Sequence, residues 1–177
     1  MRVISGKYKG KNIMGFDILG TRPTMDRVKE SMFAIIQNNI KDSICLDLFA
    51  GSGSLGIESL SNGSSKCYFV ENSSNIYGIL EKNLIGIDNN ILIKKDYRDA
   101  LKYFVNSNIK FDLIFLDPPY KLHLINGILD YIYNNNLLND NGLIVCEYET
   151  EDVSSENFYE VKKRKYGSKN VVIYKKL

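Results

Sequence analysis

The residues best suited to chemistry are Phe111 to Tyr120, Phe-Asp-Leu-Ile-Phe-Leu-Asp-Pro-Pro-Tyr. The stretch begins as an apolar run, the pattern of a strand buried on both faces of a parallel sheet. It ends at Asp117, because Pro118 and Pro119 lack an N–H and hold φ near −65°. A stiff turn results, with a carboxylate before the prolines and an aromatic ring, Tyr120, after them. In open α/β sheets the carboxyl ends of strands are where ligands bind. Two acceptors fixed at such a turn, the Asp117 carboxylate and the Pro118 carbonyl, suit a reaction at an aromatic amine. That lone pair is delocalised into its ring, and acceptors on the amino hydrogens favour pyramidalisation. Tyr120 would stack on the base, and Pro119 would keep the turn rigid. A base in a paired strand must leave its stack before this geometry can form.

A second constellation lies upstream, Asp47-Leu48-Phe49-Ala50-Gly51-Ser52-Gly53-Ser54-Leu55-Gly56. Gly51, Gly53 and Gly56 match G-x-G-x-x-G, and Glu71 stands 20 residues beyond Gly51, so a dinucleotide-binding dehydrogenase is one reading. Asp47 leans the other way. At the end of a strand its carboxylate repels a pyrophosphate but suits the α-ammonium of a methionyl group. A further acid, Asp96, follows another strand. S-adenosyl-L-methionine has an ammonium, a ribose diol and an uncharged adenine. Asp47, with the backbone of Gly51 and Gly53, would take the methionyl end. Glu71 would accept the ribose hydroxyls and Asp96 the adenine amine, with Phe49 or Tyr97 as apolar covers. No His or Cys cluster is spaced for a metal.

The elements that must position these groups follow from periodicity. Strands are expected at 44–49, 66–70, 91–95 and 111–116, with helices at 54–61, 74–86, 100–105 and 123–134. His123 falls in the first turn of the last of these, as a solvated residue. Such alternation makes βαβ units and a parallel sheet. Three more strand-like runs follow, 143–149, 158–166 and 170–175; Gly167-Ser168 joins the last two into an antiparallel hairpin. The expected fold is therefore α/β: a three-layer, Rossmann-like class I methyltransferase sheet of seven strands, the last antiparallel. Residues 2–13 read as a hairpin, and Pro23 opens a helix with Val28, Met32, Ile35 and Ile36 at helical spacing. The expectation is one domain, 1–177, with 1–40 as an N-terminal hairpin and helix extension.

Composition sets limits. With 23 basic and 21 acidic residues the net charge is only +2, so overall charge does not call for nucleic acid. Local clusters near the N-terminus and at Lys162 to Lys165 can still track phosphates. No stretch approaches a membrane span and the N-terminus does not read as a signal peptide. Cys45, Cys67 and Cys146 sit in apolar runs without C-x-x-C spacing, as buried reduced thiols would. A cytoplasmic protein is expected.

The Asp-Pro-Pro-Tyr turn together with Asp-Leu-Phe-Ala-Gly-Ser-Gly resembles the class I amino-methyltransferases. Arg2-Val3-Ile4-Ser5-Gly6-Lys7-Tyr8-Lys9-Gly10 and Thr21-Arg22-Pro23-Thr24-Met25-Asp26-Arg27-Val28-Lys29-Glu30 narrow the likeness to the bacterial RsmD-type enzymes. Met25 departs from that pattern, where the family often carries a second threonine. The resemblance implies methylation of guanine N2, at guanine 966 of 16S rRNA held within the 30S subunit, by a monomer using S-adenosyl-L-methionine and no metal. Arg22, Thr24 and Arg27 are then candidates for gripping the RNA; Arg27 could instead pair with Asp26 or Glu30. A DNA adenine-N6 methyltransferase uses the same acceptor logic but usually needs a recognition region longer than any insertion here. A protein-glutamine methyltransferase favours Asn before the prolines. A non-catalytic RNA-binding ribosome-assembly module would keep the fold without the chemistry.

Overall fold

Apolar runs of four to six residues, Ile44–Asp47 (β1), Lys66–Val70 (β2), Asn90–Ile93 (β3) and Phe111–Leu116 (β4), form the centre of the molecule. The computed structural model describes residues 1–15 and 22–176, with side chains from 25 onward after the gap. Between the strands lie helices Ser54–Ser61 (α2), Ser74–Asn83 (α3) and Tyr97–Asn106 (α4), with Arg22–Ile36 (α1) ahead of them. Ile125–Asn134 (α5) is followed by Leu138–Tyr148 (β5), Tyr159–Tyr166 (β6) and Lys169–Lys175 (β7). The sheet order is β3-β2-β1-β4-β5-β7-β6. The first five strands by sequence pair in parallel; β7 runs antiparallel to both β5 and β6.

The side-chain period of two splits the core into two layers. Val28, Met32 and Ile36 of α1, Ile57 of α2 and Leu80 of α3 pack with Cys45, Phe69, Phe115 and Val171 on one face. Leu101 and Phe104 of α4 and Ile128 and Ile132 of α5 pack with Leu46, Tyr68, Ile114 and Val172 on the other. Edge-to-face contacts between Phe104 and Phe111 (4.9 Å) and between Tyr68 and Phe104 (5.5 Å) lock the second layer. All three cysteines are buried and none forms a disulfide.

Several boundaries differ from expectation. Helix α4 starts at Tyr97 because Asp96 caps it, its carboxylate accepting the Arg98 amide at 3.0 Å. Strand β5 starts at Leu138, since Phe111 pairs with Leu138 before a register shift brings Leu113 opposite Leu143. His123 is exposed as expected but outside the helix: it ends a 3-10 turn, Tyr120–Leu122, at φ 47°, and α5 opens at Ile125. The expected N-terminal hairpin forms as a short one: Arg2 pairs antiparallel with Asn12, and the amides of Val3 and Ile13 donate to the carbonyls of Lys11 (3.0 Å) and Met1 (2.9 Å). Its backbone finds another partner. The amides of Ile4 and Ser5 donate to the Glu58 carboxylate of α2 at 2.9 and 3.0 Å.

Glu58 is fully buried and also meets the Lys29 ammonium of α1 at 3.0 Å. Lys29 in turn donates to the Ser54 hydroxyl (3.0 Å) and the Arg2 carbonyl (2.7 Å). Each charge has its hydrogen bonds, which is what makes such a buried pair tolerable. Asn83, at the end of α3, makes a parallel clasp. Its amide nitrogen donates to the carbonyls of Met14 (2.8 Å) and Ser52 (2.9 Å), and its oxygen accepts from the Met14 amide (2.9 Å). The N-terminal arm is thus tied to the glycine turn through side chains of α1, α2 and α3.

Candidate active site

The sheet order reverses direction between β1 and β4, the switch point at which doubly wound sheets open a crevice. Along the carboxyl edge the acids stand in the order Asp96, Glu71, Asp47, Asp117, one for each of β3, β2, β1 and β4. With neighbouring strands about 4.8 Å apart, the row spans roughly 14 Å. Every cofactor-binding and catalytic residue singled out from the sequence therefore lies on this edge.

The glycine turn is built by conformation and close approach. Gly53 has φ +83°, and a Cβ there would stand 2.6 Å from Leu80 Cδ1. Gly56 lets α2 lie directly on β2, since a Cβ would meet the Phe69 ring at 2.3 Å. Gly51, also in the left-handed region at φ 56°, points its amide at Glu71 Oε2 (3.1 Å). Glu71 Oε1 accepts from the Ser73 amide at 2.8 Å, so backbone donors on both sides orient this carboxylate. Asp47 is buried and accepts the Gly56 amide at 3.0 Å. Burial pushes its carboxyl up to about 7, and the Glu71 charge adds to this while the Gly56 amide opposes it. A buried carboxyl with a single amide donor would be held in its charged form by a neighbouring cation. The rings of Phe49 and Tyr97 lie 5.3 Å apart and tilted by 42°, forming an apolar wall between the glycine turn and Asp96.

Beyond the switch point, Pro118 is buried and Pro119 exposed. Asp117 stands just past β4, half-buried as a residue. Burial pushes its carboxyl well above the ordinary carboxylate range, and Glu147 and Asp47 push the same way. Lys169 and the Tyr120 hydroxyl oppose them. The Tyr120 hydroxyl donates to Glu147 Oε1 at 2.7 Å, and the same oxygen accepts from the Lys169 ammonium. That ammonium also lies 5.5 Å from the centre of the Tyr120 ring. The ring is thus braced from two sides.

Glu147 and Lys169 did not stand out in the sequence. For Glu147 a signal existed: period two puts it on the same buried face as Leu143 and Val145, an acid where an apolar residue belongs. Lys169, beside a hairpin turn, carried none.

Of the residues proposed to grip nucleic acid, the side chains of Arg22 and Thr24 lie outside the described residues. Arg27 is exposed and takes part in no ion pair among the described residues; Asp26 instead meets Arg2 at 3.8 Å.

Comparison with known proteins fits this edge. A family model described as conserved hypothetical protein 95 matches residues 1–175. Ribosomal RNA small subunit methyltransferase D of Haemophilus influenzae is 35% identical over 180 residues, covering 98% of this chain and 93% of its own. The chain belongs to the RsmD-type methyltransferase family. YlbH of Bacillus subtilis is 37% identical over 182 residues, 99% of both chains. The solved structure of yhhF from Escherichia coli superimposes with a TM-score of 0.84 at 27% identity, over 99% of this chain and 97% of that one. A more distant structure, SMU.776 complexed with SAH, shares the fold at TM-score 0.68 and 13% identity, over 81% of this chain and 49% of its own.

The RsmD-type family uses S-adenosyl-L-methionine, and the residues on the edge fit that cofactor. Gly51 and Gly53, both at positive φ, fold the chain after β1 into a tight turn with no side chain of its own at either position. The buried Asp47 carboxyl suits an ammonium, which would favour its charged form, and the Phe49–Tyr97 wall suits an uncharged ring.

Proposed function

We propose that this chain transfers a methyl group to the exocyclic N2 of a guanine in 16S rRNA, guanine 966 by family resemblance, within the assembled 30S subunit. One observation carries the reading most. Asp117, on its proline-locked turn, faces Asp47 across the switch point while Glu147 and Lys169 hold Tyr120 beside it. A cofactor held at Asp47 thereby lies next to an acceptor and a stacking ring.

Bound S-adenosyl-L-methionine supplies an electrophilic methyl on a sulfonium. The chain's own share is placement and charge. Asp47, Gly51 and Gly53 hold the methionyl end, Glu71 the ribose hydroxyls and Asp96 the adenine amine. One oxygen of Asp96 already caps α4, leaving the other for that role. Asp117 and the Pro118 carbonyl would accept hydrogen bonds from the two amino hydrogens, and Asp117 in its carboxylate form would stabilise the positive charge that develops on nitrogen. The C–S bond breaks as the N–C bond forms, leaving S-adenosylhomocysteine, and the surplus amino proton passes to solvent. Pro119 fixes the direction of that carbonyl, and the Tyr120 ring sets the plane of the base. Arg27, exposed and in no ion pair among the described residues, would take RNA phosphate, as we propose also for Arg22 and Thr24. We assign the whole of 1–177 to one monomeric, cytoplasmic unit, with 1–40 as its N-terminal hairpin and helix extension.

The test is methyl transfer from tritiated S-adenosyl-L-methionine to 30S particles lacking this modification, followed by nucleoside analysis. Label in N2-methylguanosine is the expected result. Label in another nucleoside would refute the assignment. Absence of both transfer and calorimetric binding of the cofactor would favour a scaffold.

A further inference from the structure

The outermost strand of the sheet, β6, carries four consecutive cations, Lys162, Lys163, Arg164 and Lys165, all exposed. Among the described residues none of them takes part in an ion pair, whereas Lys29, Lys169 and Lys176 each meet an acid. Lys163 lies over the Tyr148 ring at 5.9 Å, on the α4 and α5 side of the sheet. The pairing of Lys162 with Ile173 and of Arg164 with Val171 places these two on the opposite side, that of α1. Glu160, the acid of this strand, pairs with Tyr174 and so belongs to the other face.

The α1 side leads directly to the site. Tyr166 shares it, and its hydroxyl hydrogen-bonds Ser31 of α1. Tyr166 pairs with Lys169, which braces Glu147 and Tyr120. Arg27, one helical turn before Ser31, stands on the same face of α1. Arg27, Arg164 and Lys162 therefore flank a single contact, Ser31 to Tyr166. Alternate residues of a strand are about 7 Å apart, a spacing comparable to that of successive phosphates on an extended nucleic-acid strand.

We propose that Lys162 and Arg164, on the α1 side of β6, form a phosphate track that carries single-stranded RNA toward the Asp117–Tyr120 turn. The inference rests on the RNA-methylation reading. Exposed lysines on an edge strand also discourage edge-to-edge pairing, and that role alone leaves RNA affinity untouched.

The experiment is fluorescence anisotropy of a labelled oligouridylate against the full chain over a range of KCl concentrations. Lys162→Gln/Arg164→Gln is compared with Lys41→Gln/Lys66→Gln, which removes the same charge at the opposite, amino edge. The β6 pair is expected to weaken binding about ten-fold at low salt. It should also flatten the slope of log K against log [KCl] by about 1.4, at roughly 0.7 per phosphate contact. Its cofactor affinity and its turnover at saturating 30S should stay at wild-type values. An unchanged slope, or the same loss in the amino-edge pair, would overturn the track. The two readings fail separately. Wild-type protein that binds the oligonucleotide but labels no 30S particle sinks the methylation reading. Wild-type protein that labels 30S, with a β6 variant of unaltered KM and slope, sinks the track.

Discussion

Replacing Asp47 by Asn separates what this residue costs the fold from what it gives the site. Its carboxyl stands at about 7 in the folded chain, against an ordinary value of 3.8. The folded state therefore holds a proton that the unfolded state has released, and stability falls as pH rises between these two values. A difference of about three pKa units corresponds to about 4 kcal/mol at most above pH 7. Asparagine keeps an oxygen for the Gly56 amide, which Asp47 accepts at 3.0 Å, while removing the buried charge. Urea denaturation should find Asp47→Asn equal to wild type near pH 4 and more stable by as much as 4 kcal/mol at pH 8. Comparing the two proteins cancels the titrating groups that do not sense Asp47; Asp117, whose carboxyl the Asp47 charge also raises, adds to the gap in the same direction. Calorimetry should show cofactor affinity moving the opposite way, reduced by at least ten-fold at pH 8. A stability gap independent of pH would refute the argument, as would an asparagine variant less stable at pH 8.

Four other substitutions probe the remaining supports. Glu58→Gln leaves the Lys29 ammonium buried without its counter-charge and should cost about 3–5 kcal/mol in urea denaturation; a loss below 1 kcal/mol would remove Glu58 as the anchor of the arm. Asp117→Ala should abolish methyl transfer and leave cofactor affinity within a few-fold, and wild-type-like turnover would exclude Asp117 from the reaction. Because its carboxyl is raised, wild-type turnover should climb with pH on a limb above the ordinary carboxylate range. Glu147, Lys169, Asp47 and Tyr120 all face Asp117, and of these Lys169 and Tyr120 favour the charged form. Lys169→Gln should therefore move that limb to higher pH, and a limb that stays in place would refute the coupling. Tyr120→Phe keeps the ring but removes the 2.7 Å bond to Glu147. It should lower stability by about 1–2 kcal/mol and reduce turnover rather than cofactor affinity, as measured by denaturation and single-turnover transfer.

The residues of the carboxyl edge were legible because their signals are local. An apolar run that stops at an acid, followed by glycines or prolines, locates a strand end whatever surrounds it. What escaped was non-local. Leu138-Asn139-Asp140-Asn141-Gly142 has turn composition, yet Leu138 pairs with Phe111. Glu58 sits in a short helix where an acid normally faces water, and only the arrival of Ile4, Ser5 and Lys29 from elsewhere makes its burial possible. The arm looked like a hairpin because Val3 and Ile13 are apolar and glycines lie between them. It is one, but a short one, because the amides of Ile4 and Ser5 turn to the Glu58 carboxylate instead of continuing the ladder. Asp96 is expected from the sequence as the adenine acceptor, and the geometry commits one of its oxygens to capping α4.

The position of β7 has a consequence for synthesis. The strand lies between β5 and β6, although it follows both in the chain. As the polypeptide emerges, residues up to 148 can complete the parallel half of the sheet and close the crevice at β1 and β4. Glu147 then waits with its charge uncompensated, and Tyr120 without its brace, until Lys169 is delivered and β7 threads into its slot. Assembly of the Tyr120–Glu147–Lys169 cluster is therefore withheld from the nascent chain until β7 is in place.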